Sequence, residues 1–443
     1  MKTIFKGARW IWGGRTATAA TVQTVLVRVL ILATNMGTGI ITARALGPDG
    51  RGEQAAMALW PQFLAYAMTL GLPAALRYNL KRYPDQKTEL FSAALLLSIL
   101  LGIAATLVGI VFLPQWLSQY SPEVIRFAQW LMLLSPMILL SGNFVAALEA
   151  TEDFTTANQA QYLAPLMTLV LLGLLAVAQI LTPFTAVLAY VIPGLPIFFW
   201  LLHRTWKYFR PRWQRLGSSY KRLTSYGLRA YGIDLLGTLS GQVDQALVVN
   251  LLPPASMGLY VVALSLSRML SLFHSSIITV LLPKTAARPV EEVVALTGRA
   301  ARVGMVLTVL TAIAVIIPVP ILLRLLYGAE FLEAVPVFRI LIVEEVIGGT
   351  AWVLSQAFMA LGRPGTVAIL QALGLGLSVP LMILFIPAYG LEGAGLALLC
   401  STVLRLVLVL TGYPTILKVR PPGLIMTKED WRFLQQVFRL NKS

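Results

Sequence analysis

The chain has 443 residues, 57% of them hydrophobic and only 12% charged, with a formal net charge of +16 and a mean hydropathy of +0.77. A soluble domain carries about 25% charged residues, so an ordinary soluble protein is excluded, and no series of alternating strands of roughly ten residues suggests a β-barrel. The excess of Lys and Arg fits loops facing anionic membrane lipid, not a nucleic-acid partner.

Met1 to Arg15 is basic and aromatic, and the apolar run behind it is too long for a signal peptide. It reads as an interfacial segment before an uncleaved first span. Twelve spans are predicted: 18–43, 54–80, 90–113, 124–148, 159–181, 183–203, 223–250, 257–282, 298–324, 335–360, 365–386 and 391–417. Each is long enough to cross about 30 Å of hydrocarbon. Only Thr182-Pro183 separates the fifth from the sixth. The fold class is therefore an all-α polytopic membrane protein.

The first span carries Thr21, Thr24, Arg28, Asn35 and Thr42 within about 60° on a helical wheel. A cation inside such a span costs roughly 2.5–3.5 kcal/mol on insertion scales, so this stripe is expected to line a polar cavity. The turn 44–53 (Arg44-Ala45-Leu46-Gly47-Pro48-Asp49-Gly50-Arg51-Gly52-Glu53) should separate the first two spans. Pro61 and Pro73 in the second, Pro193 and Pro196 in the sixth and Pro380 in the eleventh should bend their helices.

In the seventh span Asp234, Gly237, Gly241 and Asp244 share a face, and in the eighth Arg268 shares one with Ser271 and Ser275. Arg28 and Arg268 are candidate binders of an anionic substrate group, with Asn35 beside Arg28. Asp234 and Asp244 could take up an ion or proton for coupling, or pair with Arg28 as a buried tie. Arg77 and Arg229 belong near the cytoplasmic mouth, as lipid-phosphate contacts or snorkelling side chains. Glu344 and Glu345, adjacent in the tenth span, point about 100° apart and cannot share one partner. Arg405 in the twelfth reads as helix packing, and Cys400, the single cysteine, as an inert packing residue in an apolar helix. His203 and His274 are too isolated for a histidine metal site.

Lys and Arg orient the spans. Twenty-six fall on the side of the two termini and five on the other, which places both termini in the cytoplasm. Glu149, Glu152 and Asp153 run against this bias, but acidic residues count little in it. The longest connection suggests an N-terminal six-helix lobe (1–203), a basic cytoplasmic linker (204–222), a C-terminal six-helix lobe (223–417) and an amphipathic tail (418–443). An offset of 206 aligns Leu46–Gly52 with Leu252–Gly258, Arg82 with Arg288 and Arg28 with Asp234, a weak internal repeat. There is no Walker A loop, no HExxH, no nucleophile elbow and no metal-ligand cysteine spacing. No cofactor and no metal are expected, and the chain reads as a transporter rather than an enzyme.

Several segments carry a resemblance. Ala43 to Gly52 resembles the "AR-LGP-GYG" stretch after the first span of bacterial polysaccharide (oligosaccharide) flippases, with Arg51 where tyrosine is usual. Asp244 with Gly258-Leu259-Tyr260, Tyr327-Gly328-Ala329-Glu330-Phe331, Ala360 to Pro364 and Tyr389 to Gly395 resemble later turns of that family. The resemblance implies the multidrug/oligosaccharidyl-lipid/polysaccharide exporter fold, two six-helix lobes around a central cavity. It also implies alternating-access flipping of a polyprenyl-diphosphate-linked oligosaccharide across the bacterial inner membrane, for exopolysaccharide or O-antigen synthesis. The expected partners are that lipid-linked saccharide, a polymerase and other polysaccharide-assembly proteins. A cation-coupled drug exporter of the same superfold is the main alternative, and a membrane polymerase or ligase for lipid-linked sugars a weaker one.

Overall fold

The computed structural model describes residues 17–214, 216–285, 288–428 and 430–431. Among them the chain is almost wholly helical. The helices are α1 (Ala17–Ala67), α2 (Leu72–Arg82), α3 (Lys87–Trp116), α4 (Pro122–Leu131), α5 (Ser135–Ala150), α6 (Phe154–Val177), α7 (Pro183–Val191) and α8 (Gly194–Phe209). There follow α9 (Gly217–Leu251), α10 (Pro254–Ser267), α11 (Ser271–Thr285), α12 (Val290–Ile316), α13 (Val319–Leu326), α14 (Val335–Ala360) and α15 (Pro364–Gly412). The N-terminal interfacial segment and the tail beyond Trp431 lie outside the described residues.

Two helices are too long for one crossing: α1 has 51 residues and α15 has 49, and a helix rises about 1.5 Å per residue. Each is two spans joined without a loop. The joint in α1 is Gly47 (φ 66°, ψ −177°) and that in α15 is Gly390 (φ 57°, ψ −134°). A side chain is strained at such angles, so one glycine makes each turn. The turn expected over 44–53 is thus a kink, and so is the one between the last two spans. Counted at these kinks, and with α1–α2, α4–α5, α7–α8, α10–α11 and α12–α13 each taken as one interrupted span, the described residues supply twelve crossings. Proline or glycine stands at most interruptions: Gly71 and Pro73 open α2, where the axis bends by 43°, and Pro193 precedes α8. Thr182, separating the fifth and sixth spans, caps α7 in a reciprocal box with Thr185.

Leu100, Leu107, Val170, Leu174, Ile317 and Leu384 stand outward as a hydrocarbon-facing surface. Cys400 is exposed on the same kind of surface.

The chain divides into two compact units between Thr238 and Leu239, inside α9. The first unit packs Leu72, Leu76, Leu90, Phe91, Phe144 and Phe209 into one core, with Phe91 stacked on Phe209 at 4.6 Å. Three of its acidic residues, Glu149, Asp153 and Glu152, find basic partners: Arg77 reaches Glu149 at 2.7 Å, Arg204 reaches Asp153 at 3.7 Å and Lys81 reaches Glu152 at 3.9 Å. The basic connection is fastened as well. The Arg212 amide donates to Ser92 Oγ, Thr88 Oγ1 donates to the Phe209 carbonyl, and Arg222 bonds Gln86 while covering the Tyr83 ring.

The opening turns of α9 seat against the break between α1 and α2. A Cβ on Gly227 would stand 2.5 Å from the Leu70 carbonyl oxygen, so only glycine fits there. Tyr226 stacks on Tyr78 at 4.3 Å, and the Tyr231 hydroxyl donates to the Ala67 carbonyl freed by the break. In the second unit Leu354, Phe358, Leu370, Val409 and Tyr413 form the core, and the Tyr413 hydroxyl donates to the Leu354 carbonyl.

Candidate functional site

The polar groups of the second unit collect on α9, α10, α14, α15 and the 3₁₀ turn Arg268–Leu270 that interrupts the eighth span. Asp244, on α9, is buried to 1% exposure. Its Oδ2 accepts from the Tyr260 hydroxyl at 2.9 Å and lies 3.5 Å from Arg268 Nη2. The same Nη2 donates to the Gly241 carbonyl at 3.0 Å. The Arg268 side chain stays 40% exposed. Asp244 and Gly241 therefore hold the cation while its side chain stays part-exposed. Asp244 Oδ1 is buried without a partner among the described residues.

A second group lies on α14 and α15. Thr402 Oγ1 donates to Glu344 Oε1 at 2.6 Å. Gly348 leaves the gap into which Glu344 and Arg405 both project, and the Arg405 stem passes Gly374. Arg405, read as helix packing, thus also faces a half-buried carboxylate. Glu345 takes no part in the Thr402 bond, consistent with its divergence from Glu344. His274, on α11, is 3% exposed, with neither ring nitrogen bonded among the described residues, and its ring fills the space left by Gly349.

Not all candidate residues meet here. The helix around Arg28 and that around Asp234 are placed, but both side chains lie outside the described residues. Asn35 is exposed on α1, whereas Thr42 of the same stripe is fully buried and donates to the Thr38 carbonyl. Arg77 is committed to Glu149, and Arg229 is exposed on α9.

Three features were not read from the sequence as site elements. Tyr260 stood in a motif without a role. Arg51, met as a departure from the family pattern, is 8% exposed, bonds Gln54, and has no carboxylate within ion-pair distance among the described residues. Asp430, in the tail, is fully buried between Arg302 and Arg299, with Thr427 closing a reciprocal capping box. The Arg302 hydrogen bonds hold its carboxyl well below the usual carboxylate range. The Thr-x-x-Asp spacing was the available signal.

A family model described as polysaccharide biosynthesis protein matches residues 41–336. No curated protein matches the sequence. Among solved structures, the lipid II flippase MurJ in an inward closed conformation is similar at TM-score 0.74 and 16% identity, over 91% of this chain and 88% of that one. An inward-facing MATE-family multidrug resistance transporter is similar at TM-score 0.66 and 16% identity, over 87% and 96%. The MATE multidrug transporter DinF-BH gives 0.59 and 15%, over 89% and 94%. These likenesses establish the expected fold. The family model covers well over half of the residues, and the chain belongs to the polysaccharide biosynthesis protein family.

Proposed function

We propose that the protein flips polyprenyl-diphosphate-linked oligosaccharide repeat units from the cytoplasmic to the periplasmic leaflet of the bacterial inner membrane, by alternating access. Both termini are cytoplasmic, and the flipped units feed a polymerase in exopolysaccharide or O-antigen assembly. The observation that carries the reading is the part-exposed Arg268 side chain, held by Asp244 and the Gly241 carbonyl inside a membrane span. A cation in hydrocarbon is retained where it meets an anion, and a guanidinium's fork fits phosphate oxygens. Arg28 on the first span is the second proposed cation, with Asn35 beside it. Asp244 orients Arg268 in this scheme, and Asp234 is kept as a coupling or pairing residue.

The test is flipping of a fluorescent lipid-linked oligosaccharide by purified protein in liposomes. Protection of the label from an external quencher or enzyme should change only with wild-type protein, and Arg28→Ala and Arg268→Ala should each impair it. Unimpaired flipping by both well-folded variants would refute the diphosphate role. Half-buried carboxylates such as Glu344 and Glu345 would also suit a cation-coupled drug exporter. In that case the same liposomes would move a cationic dye and leave the saccharide lipid in place.

A further inference from the structure

Arg51 is the most deeply buried arginine among the described residues, at 8% exposure. It stands about one helical turn beyond Gly47, whose positive φ joins the first two spans. A joint between two crossings lies at a membrane surface, within reach of lipid headgroups and of soluble anions.

Three other arginines that turn inward meet a carboxylate. Arg302 is held by Asp430, Arg268 is held by Asp244, and Arg405 faces Glu344. Arg51 has only Gln54. Its Nη1 donates to Gln54 Oε1, and its Nε is buried without a bond among the described residues. The carboxylates nearest in sequence, Asp49 and Glu53, each stand two positions away on the same helix. That spacing turns them about 160° from Arg51, and neither forms an ion pair with it. Gln54 is 3% exposed and uses its acceptor oxygen in the bond to Arg51. Its amide NH2 adds a donor on the same face of the helix. The pair is thus a buried set of donors that carries a full positive charge and has no anion to meet it.

A charge taken out of water without a partner is strongly destabilising, and a guanidinium's planar fork matches two oxygens on one centre. We propose that Arg51 and Gln54 form a binding site for one phosphate group at the junction of the first two spans. An anionic lipid headgroup and free phosphate present the same oxygens. Both residues belong to the first unit and the Arg268 cluster to the second, so the site does not rest on the flipping reading.

The test follows thermal unfolding of the full-length protein in a neutral maltoside detergent and phosphate-free buffer. Arg51→Met removes the charge and keeps the length of the side chain, and Arg51→Gln is the second variant. Before any anion is added, both variants should melt at or above wild type, because the unanswered charge is gone. Inorganic phosphate is then added, with chloride at equal ionic strength as its control, and phosphatidylglycerol is added in a separate series. Wild type should gain about 2 °C or more at saturation, and both variants should lack that gain. A gain with inorganic phosphate assigns the site to a soluble oxyanion, and a gain confined to phosphatidylglycerol assigns it to a lipid headgroup. Equal gains in wild type and both variants, or no gain with either anion, would overturn the proposal. So would variants that melt well below wild type before any anion is added, which would show that Arg51 serves packing alone.

Discussion

Replacing Arg268 by alanine separates two roles that the structure joins in one side chain. At 3.5 Å the pair with Asp244 is worth about 5 kcal/mol at an effective dielectric of about 20. The arginine is 40% exposed, so screening reduces this to about 2–3 kcal/mol. The variant leaves Asp244 buried with only the Tyr260 hydroxyl on one oxygen and nothing on the other, which is the costly way to break a buried pair. Arg268→Ala should therefore unfold earlier in detergent. Combining it with Asp244→Asn removes the stranded charge and should restore stability to within about 1 kcal/mol of wild type. Flipping should not return. Loss of one charge-assisted contact to phosphate is worth about 1.5–3 kcal/mol, or about 10- to 150-fold in rate at limiting substrate. The assay pairs thermal unfolding with saccharide flipping on the same preparations. If the double variant regains both stability and flipping, Arg268 is only Asp244's counter-ion and the reasoning fails.

Other outcomes follow from single contacts. Gly349→Ala places a methyl within 2.1 Å of the His274 ring atoms and should cost about 1–3 kcal/mol of thermal stability, relieved by adding His274→Ala; an unchanged melting curve would contradict this packing. Gly390→Ala forces a side chain onto φ 57° and should cost about 1 kcal/mol or more, read by the same melt. Arg77→Gln should lower stability by no more than about 1 kcal/mol because its pair with Glu149 is half exposed, and a collapse in expression would show that the contact does more. For Asp430, the folded pKa lies below its ordinary 3.8, so the stabilisation from its Arg302 contacts is present above that value and lost only as pH falls through the lower one. Protease protection of the chain between Leu417 and Asp430 should thus be constant from about pH 8 to about pH 5, while Asp430→Asn should weaken it throughout.

Span positions were legible because hydrocarbon demands long apolar runs, and Val335–Ala360 begins and ends where the composition placed it. The joints were less legible. Leu46–Glu53 has the glycine, proline and charge of a loop, yet one positive φ at Gly47 turns the chain and the remaining backbone stays helical, as lipid would favour. The partners of Glu149, Glu152 and Asp153 were hidden because they come from helices distant in sequence. In the candidate site, residue types were readable and pairings were not. The wheel placed Asp244 beside Gly241, but Arg268 arrives from 24 residues away, and only tertiary packing brings Tyr260 to the same oxygen. Asp430 was legible in principle through Thr427, and was missed because charged tails usually remain solvated.

The seat of α9 on the α1–α2 break has a consequence for biogenesis. Carbonyls at Ala67 and Leu70 are released by that break, and the groups that answer or crowd them, Tyr231 and Gly227, are synthesised about 160 residues later. The first six spans leave the ribosome with an open wound in their second helix. They must wait in the bilayer until the seventh span is inserted and closes it. A gene cut at the basic connection would therefore give an amino-terminal fragment that inserts but does not mature, whereas a cut at Leu252-Pro253 would deliver the closing helix with its own half.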